Sequence, residues 1–252
     1  MIRLAPHPCP TELTSALQAA LTAEYQADTS KSVWNKQFIR EALMLMSGGK
    51  CCYCECLINE ESKYLEVEHF LPKSLFPLLV VAWHNLLPAC KRCNIAKHNH
   101  NTETHPIVHP VNDDPRQHIY YNKGWMEGKT ALGKLTVKVV DLNDLKRQKI
   151  VEKRYEIGLW LHDELDRLED IVLDFQKGVN SSDGRKRQLI KWMKTLLREA
   201  QPQKEYAATA STVLLNEPLF QKIKSILQAC HIWDDEMTAL EATAKAIALD
   251  SF

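Results

Sequence analysis

Cys51-Cys52-Tyr53-Cys54 and Cys90-Lys91-Arg92-Cys93 are two C-x2-C pairs separated by 35 residues. An x2 spacing lets two thiolates converge on one ion from a tight turn. Two such pairs supply the four sulfurs of a closed, tetrahedral structural zinc site. The chain between them is then a loop pinned at both ends, and it contains Val67-Glu68-His69-Phe70-Leu71-Pro72-Lys73-Ser74 and Trp83-His84-Asn85-Leu86. Asn94-Ile95-Ala96-Lys97 follows the second pair directly.

Six of the eight cysteines fall between 51 and 93, while Cys9 and Cys230 stand alone. Adjacent Cys51-Cys52 and alternating Cys54/Cys56 suit a disulfide scaffold poorly, so a thiolate metal site in a reducing, cytoplasmic setting explains the clustering better. Cys52 and Cys56 read as small buried or partly exposed residues beside the ligands. Two C-x2-C pairs around an acid–histidine loop also argue against redox chemistry.

The 252 residues are 45% hydrophobic and carry no formal net charge. That length supports a sizeable core, in one domain or one domain with a large flank. The opening Met1–Pro10 has no signal-peptide pattern, and no apolar run reaches the roughly 18 residues of a membrane span. A neutral chain is not an obvious nucleic-acid binder, but the charge is uneven. Residues 123–154 hold nine Lys/Arg against four Asp/Glu, and 181–200 hold six against two. Local basic faces can grip phosphates whatever the total charge. No Gly-rich loop ending in GK[ST] occurs, so ATP is not hydrolysed through such a loop here. No finger, homeodomain or other base-reading module occurs either.

The pattern divides the chain into a helical segment 1–49, an irregular cysteine-, proline- and asparagine-rich core 50–128, and a helical region 129–252. In the first, Thr11 is a plausible cap for a helix with Leu13, Leu17, Ala20 and Leu21 on one face, and a second helix from about Ser32 ends at Gly48-Gly49. The core predicts short strands near 52–54 and 66–68, a short helix from about Cys90, and a strand and turn at Tyr120–Trp125. The last region predicts a long helix from about Asn143 through Leu145, Ile150, Leu159, Leu165, Leu168 and Val172, then helices near 185–200, 203–215, 218–230 and 234–248. Pro218 suits a first helical turn. Six histidines between 84 and 118 read as solvent-facing or supporting groups, not as a second metal cluster.

These motifs resemble the HNH endonucleases of the ββα-metal fold. The match runs over roughly residues 50–98, with Glu68 where Asp is commoner and Asn94 where His is commoner. The implied fold class is mainly α with a small zinc-stabilised ββα-metal core. The resemblance implies Cys51, Cys54, Cys90 and Cys93 on Zn²⁺, His69 as general base, and Glu68 and Asn94 on a catalytic Mg²⁺ or Mn²⁺. It makes Asn85 the residue that holds the loop behind His69, and Lys97 a candidate phosphate contact. The closer likeness is to the PtuB family of Septu-type and retron-associated antiphage systems, whose members work with an ABC-type ATPase (PtuA). The expected substrate is nucleic acid, DNA ahead of RNA. The alternatives are a stand-alone restriction-type nuclease, an RNA-cleaving relative, and a zinc-stabilised interaction module without catalysis. Independently of the family, Arg187, Lys191, Lys194 and Arg198 recur on one helix face, as a phosphate track, a partner dock or a solvated surface.

Overall fold

The structure is a computed structural model that describes residues 1–58, 65–144 and 149–251. The chain is mainly helical, with small sheets, and packs as two compact units. Met1–His118 with Gly128–Leu142 form one; Ile119–Glu127 with Asn143–Phe252 form the other. Among the described residues no helix is long and apolar enough to cross a membrane.

In the first unit, α1 (Ser15–Ala27) begins at Thr14, whose hydroxyl accepts from the Leu17 amide at 3.2 Å. Thr11 does not cap it, because Pro10 to Leu13 close a turn of their own. The second helix, α2 (Gln37–Ser47), starts later than Ser32. Turns from Ser32 to Asn35 and from Trp34 to Lys36 keep the Trp34 ring out of the helix. Gly48 ends α2 at φ 61°, a left-handed conformation that costs glycine little.

Two strands follow. β1 (Leu65–His69) pairs antiparallel with β2 (Leu86–Cys90), in a register that sets Leu65 opposite Cys90 and His69 opposite Leu86. α3 (Lys91–Lys97) leaves β2 directly and packs on both strands, while α2 covers β2. The strand expected at 52–54 is instead a turn: the Cys51 amide donates to Cys56 O at 2.9 Å, and Glu55 takes φ 64°. The metal-ligand spacing requires this, since an extended segment would aim Cys51 and Cys54 at opposite faces.

β3 (Ile119–Asn122) is the strand expected before the turn at Tyr120–Trp125, and β4 (Trp125–Gly128), which was not expected, pairs with it as a hairpin. α4 (Ala131–Val139) completes the first unit. Its Gly133 lies so close to the His118 carbonyl that a Cβ would sit 1.9 Å from that oxygen.

The second unit is a helical bundle. Its helices are α5 (Lys149–Gln176), α6 (Asp183–Glu199), α7 (Ala207–Asn216), α8 (Pro218–Ala229) and α9 (Asp235–Ile247). Leu145, placed in the long helix from sequence, lies outside the described residues. Leu165, Leu168, Leu196, Phe220 and Ile223 are fully buried at the centre. α7 is buried nearly all round, because Ala207, Ala208, Ala210 and Ser211 let neighbouring helices approach closely. β5 (Asp250–Ser251) adds in parallel to β3.

Candidate active site and metal centre

The sulfurs of Cys51, Cys54, Cys90 and Cys93 all lie within 4.8 Å of one another, and all four residues are buried. Cys54 and Cys90 are 3.8 Å apart. A tetrahedron with zinc–sulfur bonds of about 2.3 Å has sulfur–sulfur edges of roughly 3.8 Å, so the donor set fits zinc. Its surroundings suit thiolate as well. The Cys93 amide donates to the Cys90 sulfur at 3.5 Å, and Arg92 Nη2 donates to the Cys93 sulfur at 3.3 Å. Arg92 is itself anchored by Nη1 on Asp141 O at 2.7 Å. Burial pushes the Cys51 thiol up, but hydrogen bonds from Cys52, Cys54, Cys56 and Cys90 outweigh it and hold Cys51 well below the usual range. Cys56 is buried within hydrogen-bonding reach of this cluster, a closeness that the spacing alone did not reveal.

β1 delivers the acid and the histidine to opposite faces, as strand geometry demands. Glu68 is 2% exposed. Its Oε1 meets Lys97 Nζ at 2.7 Å and accepts from the Tyr53 hydroxyl at 3.4 Å. Oε2 makes no hydrogen bond or ion pair with any described residue. Burial raises the Glu68 carboxyl to about 7, although Lys97 and Tyr53 pull it down.

His69 is buried, with Nε2 at 2.8 Å from Val80 O. A carbonyl only accepts, so Nε2 carries the hydrogen and Nδ1 keeps its lone pair. The Trp34 ring meets the imidazole edge-to-face at 4.9 Å. Burial lowers His69 to about 3, so it is neutral at physiological pH.

The backbone beyond β1 is held at every step. Lys97 Nζ donates to His69 O at 2.9 Å, and Thr102 Oγ1 to Phe70 O at 2.8 Å. The Phe70 amide donates to Asn85 O. Asn85 Oδ1 accepts from the Leu71 amide at 2.7 Å, while its Nδ2 donates to Leu71 O and Leu79 O. Asn85 therefore ties the chain leaving His69 to the residue preceding Val80, the acceptor for His69.

The other candidates are placed as follows. Asn94 is half-buried on α3, three residues before Lys97 and so on the same side of the helix, and its side chain makes no hydrogen bond with any described residue. Lys97 has a fully buried side chain committed to Glu68 and His69 O, so it faces the interior and not an open phosphate site. In the second unit Lys194 pairs with Asp234 and Glu236, and Arg198 with Glu236, each at 2.6 Å. Arg187 and Lys191 stay exposed on α6, without an ion pair among the described residues. His84, His98, His100, His105, His109 and His118 belong to no metal-binding group among those residues. Two residues near the site were not singled out as functional from sequence. Trp34 was hidden in a turn between helices, and Lys73 was quoted in the motif but given no role.

A buried four-thiolate site pinning two short strands and a helix, with an acid and a histidine at the strand end, defines a metal-binding protein of the zinc-stabilised, cysteine-rich class. The Septu protein PtuB of Bacillus thuringiensis is 42% identical over 245 residues, covering 97% of this chain and 94% of that protein. The chain belongs to the PtuB family of Septu proteins. A second Septu protein PtuB, from Bacillus mycoides (strain KBAB4), is 28% identical, with 79% of this chain and 72% of that protein covered. Protein ea31 of Escherichia phage lambda is 28% identical over 87 residues, a third of this chain. No family model and no solved structure matches the chain.

Proposed function

We propose that this chain is an HNH endonuclease that hydrolyses phosphodiester bonds in DNA, acting as the nuclease effector of an ATPase-coupled antiphage system. The observation that carries the reading is His69: a neutral imidazole with Nε2–H committed to Val80 O, Nδ1 unprotonated, and its loop clamped by Asn85 beside a four-thiolate frame.

Hydrolysis needs a base for water and positive charge for the phosphoryl oxygens. Glu68, through Oε2, and Asn94 would hold Mg²⁺ or Mn²⁺, which when bound supplies that charge and stabilises the leaving oxygen. His69 Nδ1 takes the proton from water. Val80 O keeps the tautomer and steadies the imidazolium as it forms. An imidazole held at about 3 by burial is a weak base, and the negative charge of an arriving phosphodiester acts to raise it. Lys97 favours the ionised form of Glu68 against the burial that raises it, while zinc would hold the frame through Cys51, Cys54, Cys90 and Cys93 without touching the chemistry. The implied partner is a PtuA-like ABC-type ATPase.

The test is to incubate the purified chain, alone and with the ATPase component of its system, with plasmid DNA and with cellular RNA under Mg²⁺ or Mn²⁺. Ion-dependent DNA cleavage is expected. Cleavage of RNA alone replaces the substrate, and inactivity of the complete complex in every condition favours the non-catalytic module.

A further inference from the structure

Lys73 sits half-buried four residues after His69, and its ammonium lies 4.6 Å from the centre of the Trp34 ring. It makes no hydrogen bond or ion pair with any described residue. Partial burial of an unpaired ammonium costs free energy, and a cation–π contact returns part of it. An ammonium in this state can take an anionic oxygen as its charge-assisted hydrogen-bond partner. The same Trp34 ring packs edge-on against His69, so one indole positions both the imidazole and the cation. The charge of Lys73 is felt at both Glu68 and His69. Lys97 cannot serve in this way, because its ammonium is enclosed and already spent on Glu68 and His69 O. Pro72, just before Lys73, fixes the backbone from which the side chain reaches back over the ring.

We infer that Lys73, seated on Trp34, is an anion subsite that grips a non-bridging phosphate oxygen of the strand presented to His69. The inference rests on the nuclease reading for its ligand, and it moves the phosphate contact from Lys97 to Lys73. The ammonium is a positioning and charge-neutralising group. It transfers no proton, so its loss weakens binding before it slows the chemical step.

The test measures binding of a labelled single-stranded and a duplex DNA oligonucleotide over a range of salt. It uses the full-length chain carrying H69A, with and without K73M or K73R. Methionine keeps an unbranched, apolar side chain over Trp34 and removes the charge; arginine keeps the charge. H69A/K73M should bind about 5–10-fold more weakly, and its log–log salt slope should fall in magnitude by about 0.7 on the single strand and about 0.9 on the duplex. H69A/K73R should keep the parental slope. An unchanged slope and affinity in H69A/K73M, or an equal loss in H69A/K73R, overturns the subsite. The nuclease reading is judged separately, by ion-dependent cleavage with His69 intact. Binding without cleavage overturns that reading while the slope still decides Lys73, and absence of any binding overturns both.

Discussion

Replacing Lys97 by methionine probes the least visible part of the site. The Lys97 side chain is 0% exposed and that of Glu68 2%, with 2.7 Å between the charges. Removing one partner of a buried pair leaves the other charge uncompensated, at a cost of about 3–5 kcal/mol. The lost donor to His69 O lies within that cost, because the two bonds share one ammonium and do not add. K97M should therefore lower the stability of the first unit by several kcal/mol, and by less at pH 6 than at pH 8. Glu68, already raised to about 7, escapes the penalty once protonated. E68Q alone strands Lys97, whereas E68Q/K97M removes both charges. The double variant should be less destabilised than the sum of the singles by at least about 2 kcal/mol. Urea unfolding of zinc-loaded protein, with hydrogen exchange followed over residues 65–97, gives the three values. A K97M loss under about 1 kcal/mol with no coupling to E68Q would rule out the buried Glu68–Lys97 pair and return Lys97 to solvent as a phosphate contact.

C51S or C90S should lose zinc and loosen the first unit, with metal analysis falling from one zinc per chain to none. Unchanged zinc content in both variants contradicts the four-thiolate site. His69, held at about 3 against an ordinary 6.5, binds no proton in the folded state where the unfolded chain does. Its contribution is therefore full above pH 6.5 and is lost as pH falls toward 3. Glu68 acts in the opposite sense between 4.5 and 7, since its folded form keeps a proton that the unfolded chain has released. The stability difference between wild type and H69Q should grow from pH 3 to 6.5 and then level off, and a flat difference would count against the buried neutral imidazole. On α6, R187E/K191E reverses exposed charges that make no ion pair among the described residues and should leave folding intact, whereas K194E sets a like charge against Asp234 and Glu236 and should destabilise the second unit. If R187E/K191E reduces the salt slope of DNA binding, that face is a phosphate track; if it releases only the ATPase, the face is a partner dock.

The metal centre was legible because ligand spacing is local information: two C-x2-C pairs specify a tetrahedron whatever lies between them. The same requirement replaced a strand at 52–54 by a turn, since thiol convergence outranks β-propensity. Asn85 was legible through its place in the motif. The Glu68–Lys97 pair was not, because β1 must first meet α3 across 29 residues before the lysine turns inward. Lys194 and Arg198 looked free for the same reason, as their partners Asp234 and Glu236 lie about forty residues onward in sequence. Trp34 carried no periodic signal, and its role exists only once the turn before α2 sets the indole against His69. Thr14 in place of Thr11 as the cap of α1 reflects a turn closed by Pro10, a competition between neighbours that helix patterning does not resolve.

His69 is proposed above as the base of a metal-dependent phosphodiester hydrolysis. The most direct measurement compares wild type and H69A for DNA cleavage under Mg²⁺ or Mn²⁺, together with the proposed ATPase partner, at matched zinc content and matched DNA binding. Wild type should cleave in an ion-dependent manner, and H69A should be slower by about 10²-fold or more with binding retained. Near-wild-type cleavage by H69A would contradict it.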